Sequence, residues 1–152
     1  MGVRNYGVLL VTIDLSPCAG EAELADPAVT GVFATEMAAV FAQSHTPPWC
    51  GYIGRRSGIP MGFGGFKGTP DAAGEVEIGY LTFPQYEGQG VATDIAAELI
   101  TIAKREQVAV VSAHTLAEEN LSTGVLRRNG FVRDGESHDP DEGSVWRWRL
   151  DL

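Results

Sequence analysis

Between Glu75 and Arg105 the spacing of the apolar residues changes from every second position to every third or fourth, and the change falls across Gln85-Tyr86-Glu87-Gly88-Gln89-Gly90-Val91-Ala92. Upstream, Glu75-Val76-Glu77-Ile78-Gly79-Tyr80-Leu81-Thr82-Phe83 alternates as a strand does. Downstream, Ala92, Ile95, Ala96, Leu99, Ile102 and Ala103 form one stripe of a helix running from about Val91 to Arg105. A chain that turns from strand to helix through two glycines leaves several backbone N–H groups unpaired at the positive end of the helix dipole. Such a turn holds a phosphate or pyrophosphate without needing a basic side chain.

The rest of the chain is read from the same local signals. Gly7 to Ile13 is rich in β-branched and aliphatic residues and is expected to be a first strand ending near Asp14. Ser16 to about Ser44 is expected to be one or two helices, the second starting at Asp26-Pro27. Trp49 to Arg56 and Ile59 to Lys67 are two extended runs joined by Ser57-Gly58, a tight hairpin. Gly62, Gly64 and Gly65 weaken the second run but let another group approach its backbone closely. Val108 to Val111, continuing toward His114-Thr115, reads as a buried strand. A short helix from about Asn120 to Asn129 with Gly130 at its end follows. Phe131 to Glu136 and Ser144 to Leu150 close the chain around a polar turn, His138 to Gly143. The expectation is one domain over residues 1–152, an α+β sandwich with a mixed, mostly antiparallel sheet of about seven strands and helices on both faces.

A dinucleotide-binding βαβ unit would place a third glycine where Thr93 stands, and a P-loop would need Gly-Lys-Ser/Thr, so the phosphate carrier is of another kind. The formal charge of -9 argues against nucleic acid and anionic membrane surfaces as partners and favours a cationic, amine-bearing one. Cys18 and Cys50 make one disulfide at most, and no charged-then-apolar leader is visible, so a cytoplasmic setting is expected. No Cys/His cluster has metal-ligand spacing, and no metal is expected.

Three features in order resemble the GNAT superfamily of acyl-CoA-dependent N-acyltransferases, and more closely its branch containing the ribosomal-protein N-terminal acetyltransferases. Gln85-x-x-Gly88-x-Gly90 is similar to the superfamily's pyrophosphate loop. Glu77-Ile78-Gly79-Tyr80 resembles the branch's strand motif. Glu119-Asn120-Leu121-Ser122 with Val125-Leu126 and Gly130-Phe131 is similar to its Asn-x-x-Ser…Gly-Phe helix. The likeness spans roughly Trp49 to Phe131 and departs in two places. Counted back from Gly130-Phe131, the family's Asn position falls on Glu119, with Asn120 one residue later, and the tyrosine that many members carry downstream is Leu126 here.

The resemblance implies acetyl transfer from acetyl-CoA to a primary amine, either a protein N-terminus or a small molecule. The alternative is a non-catalytic acyl-CoA-binding or regulatory module. It implies a cofactor-binding set of Leu81, Thr82, Phe83, Gln85, Glu87, Gly88, Gln89, Gly90, Val91, Ala92 and Asn120. A backbone amide near Leu81 would face the thioester carbonyl, a contribution of about 3 kcal/mol in related oxyanion sites. Ser122 would donate to the CoA sulfur, or be only a first-turn helix residue bonded to backbone.

Glu77 is a candidate base for the amine proton, or a solvated residue sharing a strand face with Glu75. His114 is the rival, because imidazole as a residue type titrates at about 6.5. Cys50 reads as a buried structural thiol rather than an acyl carrier. Lys104, Arg105, Arg127 and Arg128 either reach an extra phosphate or complement helix C-termini. Trp49, Tyr52, Phe63 and Phe66 line an acceptor cleft or fill the core, and Trp146-Arg147-Trp148-Arg149 offers an aromatic face to a homodimer.

Overall fold

The computed structural model describes residues 12–18 and 46–152. They form a seven-stranded mixed sheet in the order β1-β2-β3-β4-β5-β7-β6. The strands are β1 (Asp14–Pro17), β2 (Gly51–Arg56), β3 (Ile59–Phe66), β4 (Glu75–Thr82), β5 (Val110–Leu116), β6 (Val132–Asp139) and β7 (Gly143–Asp151). Helix α1 (Val91–Arg105) joins β4 to β5, and α2 (Leu121–Arg128) joins β5 to β6. Every neighbouring pair is antiparallel except β4 with β5, whose parallel pairing follows from the α1 crossover between them.

The expected α+β sandwich is the observed architecture, with a few boundaries moved. The first described strand begins at Asp14, where the expected one was to end, because pairing with Tyr52–Arg55 of β2 decides its position. Ser16 and Pro17 are therefore strand rather than helix; Gly7 to Val11 and the helical reading over 19–44 lie outside the described residues. The closing hairpin is longer than expected. Asp139 Oδ1 accepts from the amides of Asp141 and Glu142 at 2.8 and 2.9 Å, tightening the turn to residues 140–142 and leaving His138 in β6. Those two amides hold the Asp139 carboxyl below the usual carboxylate range.

The two helices among the described residues pack on one face of the sheet, and the helices expected over 19–44, with the second helical face, lie outside the described residues. Ile95, Leu99 and Ala103 of α1 and Val125 and Leu126 of α2 meet Phe66, Val76, Ile78, Val111, Ala113 and Trp148 in one core. Tyr52, Phe63 and Phe66 are buried, so these aromatics are core rather than cleft. The aromatic face proposed for a homodimer is also turned inward. Trp148 is 1% exposed and donates to Thr115 Oγ1 at 2.9 Å, because strand alternation puts Trp146 and Trp148 on the helix side of β7. Cys50 is buried, and burial raises its thiol pKa.

The glycines of β3 do permit a close approach, and the group that approaches is α1. A Cβ on Gly64 would lie 2.5 Å from Ile95 Cγ2 and 3.3 Å from the Gly79 carbonyl oxygen. Gly64→Ala is expected to cost about 1–3 kcal/mol by overpacking, read as a fall of several degrees in thermal denaturation. An unchanged melting temperature would mean that α1 does not press on β3 in this way.

Candidate functional site

After β4 the chain makes one 3-10 turn over Pro84–Tyr86 and then takes left-handed backbone at Gly88 and Gly90, with φ of +80° and +75°. Gly90 is the N-cap of α1, and the first helical bond runs from the Asp94 amide to its carbonyl at 3.1 Å. Among the described residues, no protein acceptor takes the amides of residues 88–93. These donors converge at the positive end of a 15-residue helix, the arrangement expected from the sequence for an anion.

Arg56, at the end of β2, fixes this turn. Its Nη1 donates to the Gln89 carbonyl at 3.0 Å and its Nη2 to Asp94 Oδ2 at 2.5 Å, and its side chain is only 12% exposed. The contacts span 33 and 38 residues, so no local pattern in the chain signals them. Arg56 is the residue of this turn that the sequence reading missed.

A cavity of about 550 Å³ extends from the turn to β4. Glu87, Gly88, Gly90, Val91, Ala92 and Thr93 line one part, Tyr80, Leu81 and Thr82 another, and Leu121, Ser122, Val125 and Arg128 close it from α2. Arg128 is the one basic side chain in this lining, whereas Arg127 pairs with Glu119 at the surface. Lys104 and Arg105 do not take part in the lining.

The cavity exists because β4 and β5 part. Their ladder runs only from Glu75↔Val110 to Glu77↔Ser112, so β4 beyond Glu77 has no strand partner on that side. The direction of the β4 amides follows from its pairing with β3. The Lys67 amide bonds the Glu77 carbonyl at 2.8 Å and the Phe83 amide bonds the Met61 carbonyl at 2.9 Å, and antiparallel pairs alternate. The Leu81 amide therefore points to Phe63 of β3, and those of Tyr80 and Thr82 point into the fork. The donor expected at Leu81 moves by one residue to either side for this reason.

The two sheet faces carry different chemistry at the fork. On the helix face, the Tyr80 hydroxyl lies 2.9 Å from Ser122 Oγ. On the opposite face, Glu77 Oε2 lies 3.1 Å from His114 Nδ1 and 3.1 Å from Lys67 Nζ, so the two rival bases are hydrogen-bonded to one another. Their side chains are 28% and 34% exposed, within reach of solvent and of an incoming group.

Three residues of the expected set stand elsewhere. Phe83 is buried against Ile53 and Phe63 with its amide engaged, and Gln85 is exposed on the 3-10 turn outside the lining. Asn120 caps α2: its Oδ1 accepts from the Thr123 amide at 3.0 Å, a reciprocal capping box with Thr123, so its carboxamide oxygen serves the helix. Gln89 contributes backbone, and its carbonyl belongs to the Arg56 clamp. Among the described residues no group of His, Cys, Asp and Glu is arranged to hold a metal, and no helix is long and apolar enough to cross a membrane.

Known proteins provide a second line. A family model described as acetyltransferase (GNAT) domain matches residues 22–132. No curated protein matches. Among solved structures, RimJ of Mycobacterium smegmatis in complex with CoA-disulfide is similar at a TM-score of 0.63 and 19% identity over 68% of this chain, which spans 53% of that protein. The microcin C7 self-immunity acetyltransferase MccE, in complex with acetyl-CoA and AMP, is similar at 0.61 and 16% identity over 68% of this chain and 61% of its own length. A ribosomal-protein-alanine N-acetyltransferase from Brucella melitensis is similar at 0.68 and 18% identity over 95% of this chain and 100% of its own. Likeness at these identities carries the fold.

Proposed function

The chain belongs to the GNAT acetyltransferase family, and from that premise we propose that it transfers an acetyl group from acetyl-CoA to a primary amine, by direct attack of the amine on the thioester. The observation that carries this reading is that the acceptor-free amides of residues 88–93 and the fork between β4 and β5 open into one cavity. The amides and Arg128 suit the phosphates at one end, and the Tyr80 and Thr82 amides suit a carbonyl-bearing arm running to the fork. Acetyl-CoA supplies the activated acyl group, and every other requirement falls to this chain.

The amine must be neutral when it attacks, and its proton passes to the His114–Glu77 pair. With Nδ1–H donated to Glu77, Nε2 of His114 is the basic nitrogen. An amide of β4 stabilises the oxyanion that forms at the acyl carbonyl. The charge of -9 favours acceptors that arrive as cations, such as protein N-termini, polyamines or aminoglycosides.

The test is incubation with acetyl-CoA and a panel of N-terminal peptides, amino acids, polyamines and aminoglycosides, following free thiol and acetylated product by mass spectrometry. Amine-dependent thiol release supports transfer. Binding of CoA with no release against any amine favours the non-catalytic module, and absence of CoA binding overturns both.

The Arg56 clamp yields a prediction of its own. Arg56→Met keeps the buried stem and removes the tie to Gln89, and Asp94, 40% exposed, regains water without a large penalty. Calorimetry is expected to show CoA affinity lowered about tenfold, from the cost of re-ordering the turn. Equal affinity would show that the turn holds its own shape.

A further inference from the structure

We propose that Tyr80 and Ser122 form a hydroxyl pair that holds the leaving sulfur as a thiolate, with Tyr80 donating to Ser122 Oγ and Ser122 donating to the sulfur. The proposal rests on the transferase reading, and adds to it a positioning residue from β4. The two hydroxyls are 2.9 Å apart, both line the cavity, and 42 residues separate them in the chain.

The phenol proton has two acceptors within reach, Ser122 Oγ at 2.9 Å and the Ser122 carbonyl at 3.2 Å. An anion in the cavity decides between them. A thiolate draws the Ser122 proton toward itself, which leaves Oγ as the better acceptor and turns the Tyr80 proton onto it. Leu126, where many family members carry a tyrosine, is fully buried, so helix α2 offers no phenol at that position. Tyr80 brings a phenol to the cavity from the strand.

The pair donates hydrogen bonds and surrenders no proton. Burial pushes the Tyr80 phenol up to about 12, with the Ser122 contact opposing it. A thiol titrates ordinarily at about 8.5, so proton transfer from Tyr80 to the sulfur runs uphill. In the step itself the N–C bond forms and the C–S bond breaks. The electron pair goes to sulfur, the amine proton goes to the His114–Glu77 pair, and the thiolate takes its proton from water after release.

The experiment reads the ionisation of bound CoA through the ultraviolet absorbance of the thiolate as pH is raised, in the unaltered protein, Tyr80→Phe, Ser122→Ala and the double variant. Phenylalanine keeps the ring packing. The bound thiol is expected to ionise at a pH at least one unit lower in the unaltered protein than in either single variant, with the double variant no worse than Ser122→Ala. Turnover in Tyr80→Phe should fall about tenfold at unchanged KM for acetyl-CoA. Ionisation in Tyr80→Phe equal to that of the unaltered protein, additive shifts, or no CoA binding overturns the proposal. A lowered thiol ionisation without acetyl transfer to any amine would remove the transferase reading and leave the pair standing. Transfer with ionisation indifferent to Tyr80 would do the reverse.

Discussion

Gly88→Val is expected to lower the affinity for CoA a hundredfold or more, about 2.8 kcal/mol, while the fold survives. Gly88 sits at φ +80°, where a β-branched residue is strained by about 1–2 kcal/mol, and relief of that strain rotates the neighbouring peptide planes. Each amide turned away from a phosphate forfeits a charge-assisted hydrogen bond of about 1.5–3 kcal/mol. A Cβ there would meet no protein atom within 4 Å, and Gly88 lines the cavity that the ligand must enter.

Gly58 provides the matched control. It has φ +78°, likewise has nothing within 4 Å, and lies in the β2–β3 turn outside the cavity lining. Gly58→Val carries the same backbone strain and should lower the melting temperature by a similar few degrees with no change in CoA affinity. Calorimetry on the two variants separates strain from site. If both bind CoA as the unaltered protein does, the phosphate site is not at this turn.

The second large effect is on turnover. His114→Gln is expected to reduce kcat by about 10²- to 10⁴-fold, the usual worth of a positioned base, with acetyl-CoA affinity unchanged because the residue lies on the sheet face away from the helices. Glu77→Gln should cost less, since it withdraws the group that orients the ring while the ring remains. An unchanged kcat in His114→Gln would assign the amine proton to water or to the substrate itself.

Much of the frame was legible along the chain because its causes are local. The period change at Gln85 to Ala92, the two-residue turn at Ser57-Gly58 and the glycine after α2 each act within a few residues, and each stands where it was read. What failed to show was whatever depended on partners far away. β1 starts at Asp14 because β2 offers it a ladder there. Asn120 serves a helix cap because Thr123 completes a capping box with it. Trp146 and Trp148 point inward because the register with β5 sets them opposite Thr115 and Ala113, on the face that the helices cover. The alternation of hydrogen-bonded pairs with β3 shifts the free amides from Leu81 to Tyr80 and Thr82.

The chain by itself determined a strand that breaks into a helix through two left-handed glycines, and with it a row of backbone amides left without a protein acceptor. That much needs only the backbone freedom of glycine and the dipole of the helix, both properties of consecutive residues. Only the tertiary structure decided that Arg56 ties the turn down, that Tyr80 meets Ser122 on one face of the fork, and that Glu77 meets His114 on the other. Those pairs are 33, 42 and 37 residues apart, and their meeting depends on where β4 and β5 separate, which is set by the packing of the sheet against its helices.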